Sequence, residues 1–137
     1  MRIIFAGYNF VNDKGGFMGL TKVTVTITNL AKTGRPYENE FLVDTGAVDC
    51  LVPAGKLKKA GVKPEGIAVY ELANGTPVEY QYGFARVSFM GAETVTQVIF
   101  GPENAEPILG VVALENTGIG IDPRTKKLLK MTAKALK

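Results

Sequence analysis

The chain has 137 residues, of which 46% are hydrophobic and 21% charged, and this length and balance predict one packed domain. Histidine is absent and cysteine occurs once, which excludes a Ser-His-Asp triad, a Cys-His pair, a His-ligated metal, an internal disulfide and a CxxC zinc site. The formal net charge of +3 comes from residues 122–137, since the preceding part of the chain carries slightly more acidic than basic side chains.

We divide the chain into an N-terminal extension at residues 1–17, a domain at residues 18–131 and a basic tail at residues 132–137, with Met18 as an alternative start of the protein. The first residues lack the apolar run of a signal peptide, and no stretch approaches the ~18 apolar residues of a membrane helix. Together with the unpaired cysteine, these features predict a cytoplasmic protein without membrane contact.

Alternating side chains in residues 22–28 give the first strong structural signal. Val23, Val25 and Ile27 alternate with threonines, a pattern typical of a half-buried strand with a polar outer face. The polar stretch that follows, at residues 29–38, is predicted to be a loop.

Two short elements are expected in the next part of the chain. An apolar run at residues 41–43 predicts a short buried strand. A short helix is expected from Pro53 to about Ala60, because proline suits the first helical turn and Gly61 suits the C-cap.

Two strand-like runs, at residues 67–72 and 78–90, flank Asn74 and Gly75. Asn-Gly between such runs is a strong hairpin signal, because both residue types tolerate a positive φ angle. The apolar pattern of the second run shifts at Gly83, which predicts a β-bulge or a bend there.

The remainder of the domain alternates short apolar runs with turn signals. Its predicted elements are a strand at residues 94–100, a strand at 107–110, a helix at 111–116 capped by Gly118, and strands at 119–121 and 127–131 around a turn at 122–125. Many short strands with two small helices predict a mostly-β domain.

One segment, Asp44-Thr45-Gly46-Ala47, carries residues suited to chemistry. Burying an ionised carboxylate is expensive, so an aspartate directly after three apolar residues requires a reason. The structural alternative is a turn aspartate that bonds its own backbone. These four residues alone leave both interpretations open.

The order of these features resembles that of the retropepsin-like aspartic proteases. Segments at residues 18–25, 41–47, 72–76 and 108–110 look like those of the small prokaryotic proteins of clan AA, and the resemblance covers residues 18–131. It implies a mostly-β half-barrel with a flap hairpin and one or two short helices, working as a homodimer. It also implies the activity of an aspartic endopeptidase.

By this resemblance Asp44 is the catalytic residue, in an active-site loop completed by Thr45, Gly46 and Ala47. Aspartic proteases use two carboxylates that share one proton, because like charges so close cannot both ionise. This chain has one Asp-Thr-Gly, so the second carboxylate would come from Asp44 of a second copy across a twofold axis. The resemblance implies that Thr45 bonds across the dimer and that Gly46 lets the substrate backbone approach. No metal and no cofactor are expected.

The expected partner is a peptide or protein substrate in extended conformation, held in an apolar cleft under the flap. The residues expected to bind it are Val48, Asp49, Leu72, Ala73, Asn74, Gly75, Thr76 and Val111. A plain surface position is the alternative for Asp49. Viral retropepsins commonly carry an acidic residue and an arginine, which pair, where this chain has Val48 and Val111, so both charges are absent together.

Other interpretations stay open at this stage. A non-catalytic retropepsin-like domain could serve for dimerisation or peptide binding, although an intact Asp-Thr-Gly argues against a pure scaffold. Nucleic acid could contact the basic tail, but a solvated surface is the favoured interpretation of a short charge run. Cys50 lies in an apolar stretch and is interpreted as a buried small residue rather than as a nucleophile.

Overall fold

The structure is a computed structural model that describes residues 21–131. The predicted N-terminal extension at residues 1–17, the alternative start at Met18 and the basic tail at residues 132–137 lie outside the described residues.

Within the described range the chain is mostly β, as predicted. In chain order its elements are β1 (Lys22–Thr28), β2 (Tyr37–Val43), β3 (Cys50–Pro53), α1 (Ala54–Lys59), β4 (Gly66–Glu71), β5 (Pro77–Phe89), β6 (Ala92–Gly101), β7 (Ile108–Leu109), α2 (Val111–Thr117), β8 (Ile119–Ile121) and β9 (Leu128–Lys130). Neither helix in this range is long and apolar enough to cross a membrane.

Seven strands form one sheet in the order β1-β2-β7-β3-β6-β5-β4, and β1 also pairs with β5. The additional pairing closes six of these strands into a barrel and leaves β4 at the outer side of β5. β2 lies parallel to β7, so the chain leaves both strands at the same end of the barrel. β8 and β9 form a separate two-stranded sheet.

Apolar side chains pack in two clusters on opposite faces of the long strand β5, because successive side chains of a strand point to opposite faces. Inside the barrel, Ala85, Val87 and Phe89 belong to the larger cluster. On the other face, Tyr80 packs against a smaller cluster, whose buried members are Leu42, Ala47, Leu51, Tyr70, Ile99 and Ile108.

Of the predicted bulge or bend at Gly83, the bulge is wrong, since β5 pairs with β6 in unbroken register through this residue. The apolar pattern shifts there because the covered face of the strand changes, from the half-buried Tyr80 to the fully buried Ala85. Glycine is required at this position for a different reason: a Cβ on residue 83 would lie 2.5 Å from the carbonyl oxygen of Lys63.

Two strand segments were not expected from the sequence. β2 begins at Tyr37, so the predicted loop at residues 29–38 ends earlier than expected. The first residues of β2 pair with β1 through their backbones although their side chains are polar and largely exposed. β3, the strand of Cys50–Pro53, is buried along its whole length and therefore lacks the alternation that marks a half-buried strand. Pro53 ends this strand, and α1 begins at Ala54.

The hairpin predicted around Asn74 and Gly75 is confirmed, but its turn differs from the expected one. Gly75 has a φ of +88°, whereas Asn74 is outside the positive-φ region. The N–H of Gly75 donates to the carbonyl of Leu72 at 2.8 Å, as in a three-residue loop that ends in a left-handed glycine. The turn with two positive φ angles instead joins β5 to β6, at Met90 and Gly91.

Candidate active site

The end of β2 carries Asp44 into a loop, which we call the Asp44 loop (residues 44–49). The N–H of Asp44 donates to the carbonyl of Leu109 at 3.0 Å, which joins the ends of β2 and β7. Three residues further on, the carbonyl of Ala47 accepts from the N–H of Val111, the first residue of α2, at 2.8 Å. Backbone hydrogen bonds therefore hold the loop to the end of β7 and to the start of α2.

Gly110 is the residue that allows this contact. A Cβ on residue 110 would lie 2.5 Å from the carbonyl oxygen of Asp49 and 2.7 Å from that of Val48. The N–H of Gly110 is also hydrogen-bonded to the thiol of Cys50. Burial raises the pKa of that thiol to about 12, so Cys50 is a buried neutral group, in agreement with the sequence interpretation.

The carboxylate of Asp44 is almost fully buried, with 3% of the residue exposed. Its Oδ1 accepts a hydrogen bond from the N–H of Gly46 at 2.9 Å, which is the turn contact that the structural alternative predicted. Its Oδ2 is buried and has no hydrogen-bond partner among the described residues. Burial raises the pKa of Asp44, and the N–H groups of Gly46 and Ala47 partly oppose that change. The turn contact therefore accounts for Oδ1 of Asp44 and leaves Oδ2 without a partner among the described residues.

The two residues after Asp44 differ from it in exposure. Thr45 and Gly46 are exposed, whereas Ala47 is buried in the smaller apolar cluster. Two exposed residues, Thr45 and Gly46, therefore lie directly beside a buried carboxylate.

Asp49 is also buried, with 5% of the residue exposed, so the surface alternative is wrong. Its Oδ2 lies 3.2 Å from Nε2 of Gln97, and the same nitrogen lies 3.1 Å from the hydroxyl of Tyr70. Burial raises the pKa of Asp49 to about 6, and a hydrogen bond from Tyr70 partly opposes the rise. Sequence reasoning missed Tyr70 and Gln97, although a glutamine directly before the apolar strand residues Val98–Phe100 was a usable signal.

The remaining residues expected at the site lie in two places. Val48 and Val111 are half-buried, and backbone hydrogen bonds join their two segments, so the structure brings them together. The tip of the β4–β5 hairpin contains Leu72, which is half-buried, and the exposed residues Ala73, Asn74, Gly75 and Thr76. The structure therefore assembles the Asp44 loop with α2 and leaves the hairpin tip open to solvent.

Acidic residues of the described chain do not gather into a metal site. In residues 21–131, no group of three or more aspartate, glutamate or cysteine side chains is arranged to hold a metal ion. The two buried carboxylates, Asp44 and Asp49, have hydrogen-bond donors as neighbours.

Comparison with protein families gives one match. The family described as gag-polyprotein putative aspartyl protease matches residues 29–116, which include the Asp44 loop, the β4–β5 hairpin and Gly110. No significant match was found among curated proteins.

Comparison with solved structures gives matches of low sequence identity. A retropepsin-like aspartic protease from Rickettsia conorii is 21% identical with a TM-score of 0.50, over 81% of this chain and 80% of that chain. The foamy viral protease-reverse transcriptase is 19% identical with a TM-score of 0.52, and the match covers 70% of this chain and 12% of that chain. The Simian Foamy Virus (mac) protease is 15% identical over 69% of this chain and 91% of that chain, with a TM-score of 0.49. The first two matches show a shared fold.

Proposed function

The chain belongs to this family of gag-polyprotein aspartyl proteases and has a retropepsin-like fold, and from this premise we propose that it is an aspartic endopeptidase that works as a homodimer. The observation that carries the proposal is the carboxylate of Asp44. It is buried in an anchored loop, it keeps one oxygen without a partner among the described residues, and burial raises its pKa. Such a perturbed carboxylate is typical of acid–base chemistry.

In the proposed reaction two Asp44 carboxylates, one from each protomer, share one proton. The ionised carboxylate takes a proton from a water molecule as the water oxygen bonds to the carbonyl carbon of the substrate. The protonated carboxyl donates its proton to the carbonyl oxygen at the same time. The tetrahedral intermediate then breaks its C–N bond, and the leaving amine receives the proton that was taken from the water. One hydroxyl of the intermediate returns its proton to the carboxylate that had protonated the carbonyl oxygen, which yields the carboxylic acid and restores the shared proton.

A homodimer supplies the second carboxylate because this chain has a single Asp-Thr-Gly. Thr45 is exposed, and its hydroxyl is proposed to bond to the partner loop across the twofold axis. The exposed Gly46 is proposed to let a substrate backbone approach. Substrate contacts are proposed for Val48, Asp49, Leu72, Ala73, Asn74, Gly75, Thr76 and Val111. An extended peptide under the hairpin would add main-chain hydrogen bonds.

Cleavage of an unfolded protein or a peptide library between about pH 4 and pH 7 tests the activity. We expect Asp44→Asn to lower the rate by roughly 10²- to 10⁴-fold, the usual contribution of acid–base catalysis. Asp122→Asn is the matched control, because Asp122 lies in the exposed turn between β8 and β9 and should leave the rate unchanged. Equal cleavage by the two variants would overturn the proposal.

Sedimentation of the 14.7 kDa chain tests the shared carboxylate pair. We expect a dimer at the concentration that gives cleavage. A single-chain mass at that concentration would contradict the pair and would favour the second function considered, a non-catalytic peptide-binding module.

A cytoplasmic location is also a prediction from the sequence alone.

The basic tail is expected to have no affinity for nucleic acid, and salt-dependent binding of DNA or RNA would contradict this.

A further inference from the structure

A polar cluster of two buried residues and one half-buried residue lies at the end of the Asp44 loop and has no part in the proposed proton transfers. It consists of Asp49, Tyr70 and Gln97, which we call the latch cluster. Nε2 of Gln97 lies within hydrogen-bond distance of both other side chains, at 3.2 Å from Asp49 and 3.1 Å from Tyr70, and Tyr70 is itself bonded to Asp49. Asp49 and Tyr70 are 5% and 1% exposed, so their polar atoms depend on one another rather than on bulk water.

The latch cluster connects three parts of the fold. Asp49 ends the Asp44 loop, Tyr70 lies in β4 and Gln97 lies in β6. The ring of Tyr70 also packs in the smaller apolar cluster with Ala47, another residue of the Asp44 loop. Tyr70 is therefore a residue through which the β4–β5 hairpin touches the loop that carries Asp44.

Tyr70 is well placed to set the position of the hairpin tip, which begins two residues later at Leu72. A strand advances about 3.3 Å per residue, so the tip begins about 7 Å from Tyr70. β4 is the outer strand of the hairpin and pairs with β5, so its distance from the Asp44 loop is governed by side-chain contacts such as those of Tyr70.

The latch cluster places the buried carboxylate of Asp49 between the Asp44 loop and β4, where an apolar side chain could also pack. The ion pairs of the described residues join Lys22 to Glu106 and Arg86 to Glu93, so neither supplies a cation to Asp49. The groups that act on the carboxylate are the hydroxyl of Tyr70 and the amide of Gln97. An apolar contact of similar shape would avoid the cost of burying a carboxylate, and directional hydrogen bonds instead specify one position.

We propose that Tyr70 is a positioning residue of the enzyme, and that its hydrogen bonds to Asp49 and Gln97 hold β4, and with it the β4–β5 hairpin, against the Asp44 loop. The catalytic consequence rests on the proposed peptidase function. Asp49 then acts through Tyr70, in addition to the substrate contact proposed for it above. When these hydrogen bonds are lost, the hairpin position seen in the structure is less populated in the free enzyme. KM then rises and kcat is nearly unchanged, because bound substrate restores that position.

Spin-label spectroscopy of the full chain measures the latch without relying on activity. Cys50 is 1% exposed, so a cysteine introduced by Ala73→Cys at the exposed hairpin tip can be labelled selectively. In this background Tyr70→Phe removes the hydroxyl and keeps the ring, and we expect the label spectrum to shift toward higher mobility. Tyr37→Phe is the matched control. The Tyr37 hydroxyl accepts a hydrogen bond from Asn39 at the start of β2, whereas the Asp44 loop follows the end of that strand, so this variant should leave the spectrum unchanged.

Peptide cleavage by the unlabelled variants measures the catalytic consequence. We expect Tyr70→Phe to raise KM by roughly 3- to 10-fold, the usual net effect of losing a hydrogen bond, with kcat nearly unchanged. Gln97→Met removes the hydrogen bonds from Gln97 to Asp49 and Tyr70 and should change the label spectrum and KM in the same way. If Tyr70→Phe does not fold, this second variant tests the proposal.

An unchanged label spectrum in the folded variant would overturn the latch itself. If the label becomes more mobile in Tyr70→Phe but the protein without this substitution cleaves no peptide, the peptidase function is refuted. The positioning of the hairpin by Tyr70 then still stands. If Tyr70→Phe lowers kcat with KM unchanged, Tyr70 acts in the transition state and the positioning role is wrong.

Discussion

Replacement of Asp49 by asparagine is expected to change how the stability of the protein depends on pH. Burial raises the pKa of this carboxyl from 3.8 to about 6, because few groups compensate its ionised form. Each pKa unit is worth about 1.4 kcal/mol, so the ionised carboxylate lowers the free energy of unfolding by about 3 kcal/mol once it is fully formed. Asparagine has a similar shape and remains neutral, so the variant lacks this penalty.

The direction of this pH dependence follows from how many protons the folded and unfolded states bind. Between pH 3.8 and about 6 the folded protein holds a proton on Asp49 that the unfolded chain releases, so wild-type stability falls as the pH rises through this window. Below the window both states are protonated, and the penalty is absent. From about pH 4 to pH 7 the stability of the variant relative to wild type should rise by about 2 kcal/mol, which is most of the complete effect.

Urea unfolding followed by far-UV circular dichroism measures this difference at each pH, at one protein concentration because a dimer is stabilised by mass action. The raised pKa of Asp44 acts in both proteins and cancels in the comparison. Asp122→Asn should not reproduce the rise, because the N–H of Arg124 lowers the pKa of that exposed aspartate. A difference between Asp49→Asn and wild type that stays constant from pH 4 to pH 7 would refute the reasoning.

Two glycine substitutions test the close approaches that the fold requires. Gly110→Ala should destabilise the protein by about 3 kcal/mol or more, because a Cβ there would lie 2.5 Å from the carbonyl oxygen of Asp49. A variant that unfolds at the same urea concentration as the wild-type protein would contradict this. Gly83→Ala should cost about 3 kcal/mol, because a Cβ there would lie 2.5 Å from the carbonyl oxygen of Lys63. Gly75→Ala is the comparison: Gly75 has a φ of +88° and no neighbour within 4 Å, so the loss should be about 1 kcal/mol, and equal losses of the two variants in thermal unfolding would contradict the contact argument for Gly83.

Several elements could be predicted because their signals are local. The alternation of residues 22–28 predicted β1, and the Asn-Gly pair with its flanking runs predicted the β4–β5 hairpin. Gly118, with a φ of +70°, ends α2 as its position after the helical run predicted. Each of these predictions concerns a contact between residues close in the chain, or a backbone angle that one residue type favours.

Other features could not be predicted because they depend on distant partners. β3 is buried by strands far along the chain, and that burial removes the alternation by which strands are recognised. The turn with two positive φ angles falls at Met90 and Gly91 because the register of β5 and β6 places it there, although methionine does not favour this conformation. Propensity is overridden in both places by pairing across the sheet.

The candidate site likewise has features that neighbouring residues predict and features that depend on distant partners. The sequence by itself determined that Asp44 follows a buried strand in an Asp-Thr-Gly-Ala loop, because apolar residues and a glycine turn are properties of neighbouring positions. Only the tertiary structure decided that Asp49 is buried with Tyr70 and Gln97, since those residues lie 21 and 48 positions away and belong to different strands. A carboxylate is kept inside a protein by donors brought to it through folding, and their identity cannot be obtained from the residues beside it in the chain.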